Sequence, residues 1–190
     1  MRHAVLGVGG VGGLIGGALA RAGADVVPGV IRQRSRFIRV ELAGAEPLAE
    51  ELRAAGIECA VRDDELTLLW SKLAFFAPMA LATTALDGPL GAVRDDERYV
   101  RAQEEALTVA RAEGAQVDED ALRNLSATAL DTMQSSMQKD VAAGRRPELD
   151  AIGGAVLRAA ARHGIAAPAT EELVDLVAQA ARSRRKSSST

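Results

Sequence analysis

Residues 3–7, HAVLG, form a short apolar run ending on glycine, and GVGGVGG follows at positions 7–13 before LIGGALARAGADV. Gly7, Gly9 and Gly12 satisfy the spacing G-x-G-x-x-G in the context that gives it meaning, directly after a strand and opening a helix. The first two missing side chains permit a tight turn and let a pyrophosphate approach backbone N–H groups at the helix N-terminus. The third lets that helix pack on its strand. The expectation is a parallel βα nucleotide-binding unit whose phosphate-facing turn is Gly7, Gly9, Gly10, Val11 and Gly12.

Past that turn the pattern of a dinucleotide domain stops short. Residues 24–27 read as a second strand, whose end normally carries the group that reads the adenosine ribose. Pro28 and Gly29 break it, and residues 30–42, VIRQRSRFIRVEL, read as a β-hairpin with Arg32, Arg34 and Arg36 near its turn. Arginines at a hairpin tip are most simply a solvated edge, with contact to a phosphate as the alternative. Residues 46–55 read as an amphipathic helix stopped by Gly56, and residues 57–61 as a strand holding Cys59 as a small buried hydrophobe. A doubly wound domain needs two βαβαβ halves, so roughly a hundred residues of one are absent before residue 64.

From Asp64 onward the periodicity is helical. Residues 64–86 predict one long apolar helix, with Asp64 as N-cap and Pro78 as a kink or break. Leu66, Leu69, Trp70, Leu73 and Phe76 recur at its buried spacing, and Lys72 stands among them. Further helices are expected over 95–113, 118–140, 148–163 and 171–181, with Gly164 closing the fourth and Pro168 and Thr170 preceding the last as boundary and cap. The domain expectation is 1–63 for a shortened α/β unit, 64–182 for an all-α unit, and a disordered basic tail over 183–190.

The densest polar stretch is SSMQKDVAAGRRPELDAIGG, residues 135–154. Ser136 and Asp140, four apart, share a helix face. Gly144 gives a helix stop, Pro147 suits a new first turn, and Glu148 lies at the positive end of the next helix. Gly153 and Gly154 inside that helix imply either close helix contact or room for a ligand.

Composition bounds the function. A net charge of -3 and a pI near 5.5 provide no basic stripe for nucleic acid. A single cysteine permits no internal disulfide and fits a reducing cytoplasm. No apolar run reads as long or charge-free enough for a membrane span, so no membrane partner is expected. His3 and His163 lack partners at ligand spacing, and no metal is expected.

Four segments in order resemble the ketopantoate reductases (2-dehydropantoate 2-reductases): HAVLGVGGVGGLIGGALARAGADV, LLWSKLA, SSMQKDVAAGRRPELDAIGG and HGIAAPATEELVDLV. The resemblance implies an α/β unit followed by an all-α unit, a two-domain oxidoreductase of the 6-phosphogluconate dehydrogenase-like class. It implies an N-terminal Rossmann domain for NADPH and a helical domain that closes over an α-keto acid, with ketopantoate reduced to pantoate in pantothenate biosynthesis. Lys72 of WSKL matches the catalytic lysine that gives its proton to the substrate ketone. Glu148 of RRPELD matches the carboxylate that binds substrate and positions the lysine, and Ser136 matches the hydroxyl that contacts the substrate carboxylate. Gly7, Gly9 and Gly12 match the pyrophosphate turn. Phe76 and Ala80 stand where the family usually has substrate-binding asparagines, and the gap after Val27 removes most of the cofactor domain. A shortened sheet exposes an edge, which predicts a homodimer or aggregation. The alternative from another class is a non-catalytic helical module serving oligomerisation or interaction.

Overall fold

The computed structural model describes residues 39–187. The glycine-rich turn, the expected second strand and Arg32, Arg34 and Arg36 lie outside the described residues. The chain divides into two compact units, residues 1–68 and 69–190.

In the first unit, β1 (Arg39–Ala43) pairs in parallel with β2 (Glu58–Arg62), Val40 opposite Cys59. Helix α1 (Glu46–Ala54) connects them and buries Ala49 and Leu52 against Ile57 and Cys59. Residues 39–42 were expected in a hairpin. They instead belong to a β-α-β crossover, because a helix between two strands returns the chain to the same end of the sheet. Burial pushes the Cys59 thiol pKa up, so it is an inert packing group.

Helix α2 (Glu65–Ala85) starts as expected: the Asp64 carboxylate accepts from the Thr67 backbone N–H at 3.0 Å. It continues without a break through Pro78, where a kink or break was expected. Every residue from Ala77 to Thr84 is buried, and that packing holds the helix despite the missing N–H. The buried face also differs from the expected stripe. Trp70, Ala74, Ala77 and Leu81 face inward, whereas Leu66, Leu69 and Phe76 are 39%, 56% and 44% exposed. By length and composition α2 is the one described helix apolar enough to cross a membrane, contrary to expectation. However, 56% of its most apolar stretch is buried in the protein, as in a core helix.

The remaining helices are α3 (Leu90–Val93), α4 (Glu97–Ala112), α5 (Glu119–Thr128), α6 (Ser136–Ala142), α7 (Leu149–Arg162) and α8 (Pro168–Ser187). The single helix expected over 118–140 is therefore two. Its middle is claimed by tertiary bonds: Leu90 and Gly91 N–H donate to the carbonyls of Met133 and Asp131, and Arg94 donates to the Asp131 carboxylate. The basic run expected as a disordered tail continues α8 as far as Ser187.

Helix ends follow local chemistry. Gly144 and Gly164 take φ of 69° and 64°, the left-handed stop that glycine adopts without strain. Thr170 was expected to cap α8, but Glu105 of α4 does so. Its carboxylate accepts from Ala169 N–H, Thr170 N–H and the Thr170 hydroxyl at 2.7–2.8 Å. Glu113, at the C-terminal end of α4, meets Arg162 and His163 at the end of α7, each at 2.8 Å. The Arg162 guanidinium, then His163, hold the Glu113 carboxyl below its ordinary pKa.

Candidate active site

Lys72 projects from the exposed face of α2. Its Nζ lies 5.8 Å from the centroid of the Phe76 ring, one turn along, and the Phe76 ring stands edge-on to Phe75 at 5.1 Å. Phe75 is buried, so it fixes the half-exposed Phe76 ring beside the ammonium. Lys72 forms no ion pair with a carboxylate among the described residues.

The serine pair divides its labour. Ser135 is buried: its Oγ caps α6 by accepting from Gln138 N–H at 3.0 Å and shares a hydrogen bond with Thr83 Oγ1 of α2 at 3.1 Å. Ser136 is the first residue of α6, and it is exposed. Thr83 lies eleven residues past Lys72, about 16 Å along the helix. Ser136 and Asp140 share one face of α6, as their spacing predicts. Asp140 pairs with Arg145 across the α6–α7 corner at 2.7 Å.

Glu148 occupies the N-cap position of α7, but its side chain makes no capping bond and stands exposed. It lines an open groove of about 840 Å³ together with Arg146, Gly154, Val174, Ala178 and Arg182. Lys72 is not part of that lining, and no hydrogen bond joins Lys72, Ser136 and Glu148. Each of the three is thus exposed and available, on three different helices.

The two helix glycines separate the two expected reasons for them. A Cβ on Gly153 would sit 2.5 Å from Val174 and 3.2 Å from Leu81, so close helix packing accounts for it. Gly154 lines the groove, and its Cβ would meet only the flexible ends of Asp150 and Arg158. The sequence reading missed Arg146 and Arg182 as groove residues. The signal was present: Val174, Ala178 and Arg182 recur every four residues and mark one face of a continuing helix.

Two tests of other groups fall within the described residues. No cluster of His, Cys, Asp or Glu there can hold a metal ion. The β1–α1 turn does not fit a dinucleotide: Glu46 puts negative charge in the first turn, and Pro47 removes an N–H that a phosphate would need. The phosphate-binding expectation stays with Gly7, Gly9, Gly10, Val11 and Gly12, outside the described residues.

Residues 65–181 match the family profile described as "Ketopantoate reductase PanE/ApbA C terminal". The chain belongs to the ketopantoate reductase family. A 2-dehydropantoate 2-reductase of Mycobacterium tuberculosis is 36% identical over 176 residues, covering 86% of this chain and 58% of the relative. One from Halobacterium salinarum is 31% identical over 179 residues, covering 87% and 59%. The chain therefore spans under three-fifths of the length of these curated relatives. A crystal structure of a PanE/ApbA family ketopantoate reductase from Ralstonia eutropha superposes with a TM-score of 0.70 at 28% identity, over 81% of this chain and 54% of that one. Against this family fold, the parallel strand pair is a shortened Rossmann-like unit and the helices that follow are the C-terminal domain.

Proposed function

We propose that this chain carries the substrate half of an α-keto acid reductase site, in which Lys72 delivers a proton to the substrate ketone. The observation that carries the reading is Lys72 itself: an exposed ammonium, free of carboxylate partners among the described residues, at the position where the family resemblance puts the catalytic lysine. An ammonium stabilises the alkoxide that forms at a reduced ketone and then gives up its proton to it. Ser136 donates to the substrate carboxylate, and Glu148 accepts from substrate or from Lys72 as the site closes. When bound, a reduced nicotinamide, NADPH by family resemblance, supplies the hydride. The reading includes a cytoplasmic homodimer acting on a small α-keto acid, ketopantoate being the family substrate.

Mixing the chain with NADPH and ketopantoate and following the absorbance of the reduced nicotinamide tests this. Turnover that Lys72→Ala abolishes, with helix content unchanged by circular dichroism, supports the reading. Turnover that survives Lys72→Ala overturns the role of Lys72, and a folded chain that turns over no α-keto acid overturns catalysis.

A further inference from the structure

We infer that the site around Lys72 selects an α-keto acid whose group beyond the ketone is apolar or aromatic, with Phe76 as the specificity-determining residue. The inference rests on the reading of Lys72 above and names its substrate class. Leu69 and Phe76 flank Lys72 at −3 and +4, one turn to either side on the same helix face. Both are about half exposed, although α2 has a fully formed buried face on its other side. Core packing therefore explains neither side chain.

Geometry sets what their exposure does to a bound substrate. A ketone that takes a proton from Lys72 places its oxygen within about 3 Å of Nζ. With Nζ 5.8 Å from the ring centroid, a ketone approaching Nζ from the ring side brings its neighbouring atoms within van der Waals reach of Phe76. Phe75 holds the ring edge-on from behind, so a preformed apolar wall meets them. An apolar or aromatic substituent gains contact there. A hydroxyl finds no partner in Leu69, Phe76 or the buried Ala80 and is left desolvated. The ammonium of Lys72 meets the ketone of such a molecule, and the apolar flanks meet the substituent beside it, so charge and polarity are complementary to one ligand class.

The test is calorimetric titration of the full chain with 4-methyl-2-oxopentanoate and with ketopantoate, for wild type, Phe76→Asn and Lys72→Met. The wild type is expected to bind the apolar acid roughly tenfold more tightly than ketopantoate, Phe76→Asn to erase or invert that ratio, and Lys72→Met to weaken both. Equal affinities in the wild type, or a ratio unmoved by Phe76→Asn, overturn the inference. If Lys72→Met still weakens both acids in that case, the role of Lys72 stands and the selection by Phe76 falls. A wild-type chain that binds neither acid overturns both.

Discussion

In the helical unit, Leu81, Leu107, Val156, Leu173 and Val177 are all essentially inaccessible to solvent and belong to two extended clusters. The described core of the other unit consists of Ala49, Leu52, Ile57 and Cys59 around two five-residue strands. The described strand pair and its covering helix bury little apolar area to set against the entropy of ordering that chain. The helical unit repays that cost several times over. Lys72, Ser136 and Glu148 project from the helical unit, which the family profile matches, whereas the described strand pair belongs to the other unit. The difference teaches that the candidate residues lie on the unit with the larger described core.

The contrast breaks most readily at Leu81. Leu81→Ala should cost the helical unit about 2–5 kcal/mol, through lost burial and the cavity left where α2, α7 and α8 meet. Leu52→Ala, in the small core, should leave the helical unit's unfolding transition where it was. Urea melts followed by the fluorescence of Trp70, the sole tryptophan, read that transition selectively. Equal shifts from the two substitutions would mean that the units unfold as one.

A smaller effect sharpens the same contrast within one helix. Gly153→Ala forces a methyl against Val174 and should cost about 1–3 kcal/mol, whereas Gly154→Ala displaces only the ends of Asp150 and Arg158. The second change should fall within about 0.5 kcal/mol of neutral or gain up to about 1 kcal/mol from helix propensity. Thermal melts of the two variants give the comparison directly. Similar costs would contradict the packing account of Gly153.

What could be read from the sequence was what local chemistry decides. The start of α2 follows from Asp64 and Thr67, and the helix stops at Gly144 and Gly164 follow from glycine's freedom at positive φ. What could not be read depended on distant partners. The break between α5 and α6 exists because backbone N–H groups of α3 claim the carbonyls of Asp131 and Met133, which no local pattern announces. Glu105 looks like an ordinary surface acid of α4 until α8 arrives to be capped. Phe76 fits an apolar stripe by spacing and was assigned to the core, since periodicity counts apolar residues without telling a core face from an apolar site. For the candidate site, Lys72 and Glu148 were named from family motifs, whereas Arg182 falls one residue past the helix end expected at Ala181 and joins the groove because α8 continues.

The chain has three lysines, Lys72, Lys139 and Lys186, so a protein isotope-labelled at lysine gives a spectrum in which each side chain is assigned by one substitution. Titrating it with 4-methyl-2-oxopentanoate and with ketopantoate asks directly whether an α-keto acid seats on the ammonium of Lys72. The account predicts a saturable shift of the Lys72 signal, larger for the apolar acid, with Lys139 and Lys186 unmoved. A Lys72 signal that stays in place, or that moves no more than the other two, would contradict it.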